Sequence, residues 1–581
     1  MPKIAFIAKP ATSRTRPRTS TGWFPKAAEA RITRTCNPIP LALAALVIAT
    51  PAAASVSPTT PERAYVAARA ASISGDHAGA AQLYARIATA SSDTDLKQKA
   101  ISEAISAGDM ALALRLIRNS PSSTIDSRLL LVADALKRGQ DAQAIQLLAN
   151  GGTGADLSFW KPLVQAWNAA ARRDSASAIA VLSQVPRNNA FGPFVDEQTA
   201  LILLKVGKTA EAEPYARRAI GNAGAREYRV RLALAGGFAA AGDKARALAM
   251  LDGISGDTTI VRQALEQGRL KTVVVDTAAE AFSEQLVALA LEMRRSPSGS
   301  GAPVNIVQIA RFAAPENSSA AILLGNFLAA QDRINDALVS YRSVPEGDPL
   351  KSEALDAEVR TLTDSRRYEE ALALARRWTG NSGATSDDFA RLADVYSATK
   401  RYGEAANAYE QAIARSSSDP GTRTWPLLLL RASALESGGR WPEAKAVLST
   451  ALARAPNEPL VLNFLGYAKL EHGEDLDAAE ALIRKASELA PDDASITDSL
   501  GWALYKRGRL QEAIDVLQKA ALGDPAQAEI HEHLGDALYT AGRRFEARFA
   551  WQAALATADE EETARITRKM ESGLTQATAA P

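Results

Sequence analysis

The sequence predicts an all-α solenoid of about 14 helix pairs in two sub-arrays. Three observations point there. The chain is 581 residues long, too long for one globular core. It is rich in alanine and poor in β-branched residues, and aromatics make up 6%. Small residues also recur with a period near 34, the length of one antiparallel helix pair.

The first element is a leader over residues 1–54. Ile39 to Ala54 is an apolar run of 16 residues ending Ala52-Ala53-Ala54, which has the form of an export signal cut after Ala54. Eight Lys or Arg and one acid, Glu29, precede it. An uncleaved signal anchor and a start placed too far upstream are the alternatives. Without this leader the body carries 67 − 8 = 59 basic and 66 − 1 = 65 acidic residues, a net charge of −6. The expected location is the periplasm or outer envelope.

The array follows. Alanines fall at matching points: Ala80, Ala113, Ala144, Ala178, Ala212, Ala247, Ala302, Ala337, Ala371, Ala405, Ala444, Ala479, Ala513 and Ala547. A glycine stands five residues before many of them, at Gly75, Gly108, Gly139, Gly207, Gly242, Gly439, Gly508 and Gly542. Residues 62–293 form a degenerate N-terminal array. The step from Ala247 to Ala302 is 55, and it holds the run RRSPSGSG at 294–301, read as a flexible loop between sub-arrays. Residues 302–559 form the C-terminal array, and 560–581 a capping helix and tail.

The best-defined unit is DSLGWALYKRGRLQEAIDVLQKA, Asp498 to Ala520. Asp498 to Lys506 reads as the first helix and Leu510 to Ala521 as the second. Gly508 ends the first by adopting a conformation that a side chain penalises. Gly501 and Ala513 are small because the two helices cross there. The pair Asp492-Asp493 reads as a cap for the next helix.

The runs NFLGY, DSLGW and HLGD at 463–467, 498–502 and 533–536, with their downstream glycine, alanine and proline positions, resemble the tetratricopeptide repeat family. The resemblance covers roughly 62–560. It implies a right-handed superhelix of helical hairpins whose first helices line a groove for peptide segments or partner proteins. By that resemblance the groove positions are Asn463, Tyr467 and Leu470; Asp498, Trp502 and Tyr505; and Glu532, Asp536 and Tyr539. They form an aromatic strip with carboxylates on one edge, suited to a basic or polar segment. For each, packing between helices is the competing reading. The chain also resembles long bacterial repeat proteins that act as envelope adaptors, some of them lipoproteins presenting cell-wall hydrolases to a protease. Their lipid-acceptor cysteine has no counterpart, since the single Cys36 precedes the apolar run, so membrane association stays open.

Other classes find little support. There is no G-x-S-x-G, H-E-x-x-H, P-loop or dinucleotide turn, so no enzyme is expected. The balance of charge argues against nucleic acid. No cofactor is expected, and no metal: one cysteine and four histidines are too few, and His531 and His533 are two apart. Arg543, Arg544 and Arg548 read as a solvated face.

Overall fold

A computed structural model describes residues 60–581, apart from 120–123, 150–155, 255–257, 269–274, 295–301, 417–419, 576 and 581. The leader 1–54 and nearly all of the 294–301 segment lie outside the described residues. The described residues hold 30 α-helices and no strand. They divide into two compact units between Arg367 and Tyr368.

The N-terminal unit comprises α1 (Pro61–Ile73), α2 (His77–Thr89), α3 (Thr94–Ser106), α4 (Met110–Asn119), α5 (Ile125–Lys137), α6 (Asp141–Ala149), α7 (Lys161–Ala171), α8 (Ser175–Ser183), α9 (Val195–Lys205), α10 (Thr209–Asn222), α11 (Glu227–Ala240), α12 (Lys244–Met250), α13 (Thr259–Glu266), α14 (Ala278–Arg294), α15 (Ala302–Ala313), α16 (Ser318–Ala330), α17 (Ile334–Arg342) and α18 (Lys351–Asp364). The C-terminal unit comprises α19 (Tyr368–Thr379), α20 (Ser386–Ala398), α21 (Tyr402–Arg415), α22 (Pro420–Ser437), α23 (Trp441–Arg454), α24 (Pro459–Glu471), α25 (Leu476–Leu489), α26 (Ala494–Lys506), α27 (Leu510–Gly523), α28 (Ala528–Thr540), α29 (Arg544–Ala554) and α30 (Glu560–Ser572).

The period has a physical basis at every turn. Thirteen of the fourteen anchor alanines are fully buried, each the fourth residue of the second helix in its pair. Ala302 is instead the first residue of α15, so the anchor read there is out of register. Five residues before the anchors, Gly75, Gly207 and Gly508 take φ of 82°, 83° and 76°. Where glycine is missing, Arg173, Asp332, Arg366 and Lys400 adopt the same left-handed turn, with φ between 59° and 62°. The helix ending thus demands that conformation whatever the residue.

Helix crossings explain the other small positions. A Cβ on Gly501 would lie 2.6 Å from Leu517 Cγ, and one on Gly466 would lie 2.9 Å from the Ala479 carbonyl oxygen. On Gly535 it would collide with the Trp551 ring. The first helix of this unit begins a turn earlier than its pattern suggests, at Ala494. Asp493 caps it by accepting from the backbone N–H groups of Ser495 and Ile496. The second helix runs on to Gly523.

The N-terminal unit folds back on itself. α14 packs against α5 and α7, and α15 against α3 and α5. Ser106 Oγ donates to Asn305 Oδ1 at 2.6 Å, and Asn305 Nδ2 donates to Asp126 Oδ2 at 2.7 Å. Trp160 meets Phe282 edge-to-face at 5.3 Å. Arg229 of α11 donates to Glu284 of α14 at 2.6 Å. The first-helix faces of α3, α5 and α7 are therefore covered by later helices of the same unit. For the same reason the boundary expected at 294–301 is not where the compact units part. The helices on either side of it, α14 and α15, pack on each other and on one shared set of earlier helices.

Ala513→Leu should overfill the α26–α27 crossing and lower stability by about 1–3 kcal/mol. Thermal denaturation checks it, and an unchanged midpoint would contradict the assigned crossing.

Candidate functional site

The first helices α24, α26 and α28 place the nine expected groove residues in three rows. Three residues before the crossing glycines Gly466, Gly501 and Gly535 stand Asn463, Asp498 and Glu532. One residue after them stand Tyr467, Trp502 and Asp536, and four after, Leu470, Tyr505 and Tyr539. All three positions recur at helical spacing, so they share one face of each helix. Their exposure differs from expectation. Asn463, Leu470, Asp498, Trp502, Glu532 and Asp536 are buried, and only the three tyrosines are half-buried.

The carboxylate edge is already occupied by cations of the same chain. Lys569 of α30 is fully buried, and its ammonium donates to Glu532 Oε1 and to both Asp536 oxygens at 2.7 Å. Arg565, one turn earlier, donates to both Glu532 oxygens at 2.8 and 2.6 Å. Burial alone pushes the Glu532 carboxyl up, but Arg565 and Lys569 outweigh it and hold it below the usual carboxylate range. Trp551 Nε1 donates to Asp536 Oδ1 at 2.9 Å. Glu532 and Asp536 are therefore not open to a basic partner in the way that the sequence suggested. Two carboxylates meet two cations inside the chain.

The segment after α30 continues across the same face. Gly573 turns the chain at φ 83°, at a point where a Cβ would collide with the Tyr539 hydroxyl. Leu574 packs against the cluster formed by Leu534, Leu538 and Trp551. Ala580 donates its backbone N–H to Asp536 Oδ2 at 2.8 Å and is buried in a cluster with Leu470, Trp502 and Leu504. The tail thus reaches residues of α24, α26 and α28.

Trp502 is a packing residue here. Its ring stacks between Tyr505 at 4.8 Å and His533 at 4.1 Å, and its Nε1 donates to Glu471 at 3.1 Å. His533 donates through Nδ1 to Asp498 Oδ2 at 2.9 Å. Burial pulls the imidazole pKa down, but Asp498, with Glu529 and Glu532 nearby, outweighs burial and raises it from 6.5 to about 9. Burial pushes the neighbouring Glu529 up to about 7. Asn463 Oδ1, Asp498 Oδ1 and His533 Nε2 are buried and carry no hydrogen-bond partner among the described residues. No hydroxyl or thiol meets the free His533 nitrogen, so the histidine–aspartate pair lacks the nucleophile of a catalytic triad. Among the described residues no group of three or more His, Cys, Asp or Glu is placed to hold a metal, and no helix is long and apolar enough to cross a membrane.

Sequence reasoning missed Arg565, Lys569, His533 and Ala580. One signal was present: Glu532/Asp536 and Arg565/Lys569 are opposite charges at the same spacing of four. The arginines read as a solvated face each have a contact: Arg543 pairs with Glu546, Arg544 lies 5.5 Å from the Tyr539 ring centre, and Arg548 donates to the Met570 carbonyl.

Two family profiles match the C-terminal unit: one described as TPR repeat at 501–542, and one as tetratricopeptide repeat at 396–470. No curated protein matches the chain. Similar solved structures include the APC/C hetero-tetramer Cut9–Hcn1, at 15% identity over 89% of this chain and 97% of that one, with a TM-score of 0.36. Yeast Tom70 aligns at 14% identity over 78% and 96%, with a TM-score of 0.35. MamA AMB-1 aligns at 25% identity over 29% and 95%, with a TM-score of 0.24. The repeat assignment rests on the profile matches and on the helix pairs themselves.

Lys569→Met should leave two buried carboxylates short of a cation and cost about 3–5 kcal/mol. Chemical denaturation of the variant checks it, and a loss under about 1 kcal/mol would contradict the buried pairing. The His533 shift sets a pH dependence. A pKa of about 9 in the folded chain against 6.5 means that its stabilisation is whole below pH 6.5 and is lost as pH rises through 9. The urea midpoint of the wild type should fall across that window, and His533→Gln should flatten the fall. Equal slopes in both would contradict the assignment.

Proposed function

We propose that this tetratricopeptide-repeat chain is a non-catalytic scaffold that binds a segment of another protein across α24, α26 and α28. Repeats of this family serve protein–protein interaction, which supports the scaffold class. The groove assignment is carried by one observation. Tyr467, Tyr505 and Tyr539 stand half-buried on three consecutive first helices, beside the unpartnered polar atoms of Asn463, Asp498 and His533. Half-buried aromatics are strong interface anchors, and buried polar atoms without partners favour an occupant that supplies them.

We place the protein in the cell envelope on the strength of the apolar run Ile39–Ala54. The adaptor resemblance of the 463–467, 498–502 and 533–536 runs suggests a processing protease or cell-wall hydrolase as the partner. A cytoplasmic or membrane-anchored assembly factor is the rival reading.

A photo-crosslinking amino acid at Tyr505, with one at the exposed Phe549 as control, tests both points in the native cell. Adducts with an envelope protein from Tyr505 alone are expected. Equal adducts from Phe549 would overturn the groove assignment, and exclusively cytoplasmic adducts the location.

A further inference from the structure

The chain's own C-terminal segment lies where a partner segment is expected, and its chemistry describes that partner. After Gly573 the tail has no helix to cap, because α30 already closes the array: Ile566 is fully buried and Lys569 pairs with Glu532 and Asp536. None of the side chains of residues 574–581, LTQATAAP, is charged. Three of the carboxylates on the face they cross are already paired, Glu532 and Asp536 with Arg565 and Lys569, and Asp498 with His533, while Glu529 stands on the same face of α28. Among its described residues the tail is held at Leu574 on the α28–α29 cluster, by a turn from Thr575 to the buried Thr578, and at Ala580. Ala580 is held through its main chain. It offers a main-chain N–H to a fixed acceptor, Asp536 Oδ2, and sets a small side chain into an apolar cluster with Leu470 and Trp502.

We propose that the groove of the C-terminal unit takes a protein segment of small, uncharged side chains that turns as the tail does at Thr575–Thr578, and that the tail is its built-in competitor. This rests on the scaffold reading above and narrows it. Glu532 and Asp536 do not select a basic segment, because Arg565 and Lys569 of α30 already pair with them. The small volume beside Ala580 excludes a large side chain there. Being tethered, the tail acts at an effective concentration on the order of millimolar, so a partner displaces it only by making more contacts or by arriving with a second attachment point. Segments held by few contacts open at low cost, which makes the tail exchangeable.

The test uses a fluorescein-labelled peptide of residues 574–581 and three proteins: the full chain, the chain ending at Gly573, and the full-length Ala580→Asp variant, whose added carboxylate would be buried in the apolar cluster with Leu470 and Trp502. Fluorescence anisotropy should show the peptide binding either tail-displaced form at least tenfold more tightly than the wild type. A peptide carrying Ala580→Asp should bind none of them. Equal binding to wild type and displaced forms overturns the proposal, as does failure to bind both displaced forms. Concentration-dependent dimers of the wild type that dissociate on truncation would assign the tail to the groove of a second copy and overturn its role within one chain. The two readings fail separately. Adducts at Tyr505 without peptide binding would leave the scaffold reading and remove this one. Peptide binding without adducts would do the reverse.

Discussion

Close approach of two helices at a small residue is the contact on which the rest of the structure depends. Gly501 lies against Leu517, Gly466 against the Ala479 carbonyl, and Gly535 against Trp551, each without room for a side chain. The anchor alanines opposite are fully buried. Dispersion between close-packed helices falls off within a fraction of an ångström, so one small residue per helix sets how closely each pair can pack. The left-handed turn that precedes the anchors, five residues before most of them, is the second half of the same constraint. It reverses the chain in two or three residues, and four repeats accept the strain of a non-glycine residue there rather than change the turn.

Once the pairs are formed, the first-helix faces must be satisfied, and the two units do this in different ways. In the N-terminal unit α14 and α15 cover the faces of α3, α5 and α7 with polar bonds such as Asn305 to Asp126 and with the Trp160–Phe282 contact. In the C-terminal unit the work is done by charge. Two carboxylates of α28, one turn apart, meet two cations of α30, also one turn apart. Neither set would be stable buried alone, because an uncompensated charge in a low-dielectric interior costs several kcal/mol. Together they close the end of the array.

Pairing changes what this face offers. Carboxylates read from the sequence suggest selection of basic segments. With Glu532 and Asp536 paired to α30, the face keeps the half-buried tyrosines, the apolar cluster around Trp502 and Leu470, and Glu529. On the proposed reading, a partner meets shape and main-chain hydrogen bonding at least as much as charge.

The sequence by itself determined the helix pairs, the turns and the crossings. These depend on neighbours within one repeat, and a period near 34 displays them over and over, so Gly501, Ala513 and Gly508 were legible from spacing alone. It also brought the nine groove positions onto matching faces, because equivalent positions in successive repeats are equivalent in space. It did not reveal which of those positions are covered. The partners of Glu532 and Asp536 lie some 33 to 44 residues away, at Arg565, Lys569 and Ala580, and those of Ser106 lie 199 residues away, at Asn305. Contacts of that kind occur once, outside the repeat, and leave no periodic trace. Only the tertiary structure decided them, because burial of a charge depends on what the chain brings back over it and not on the residue that carries it.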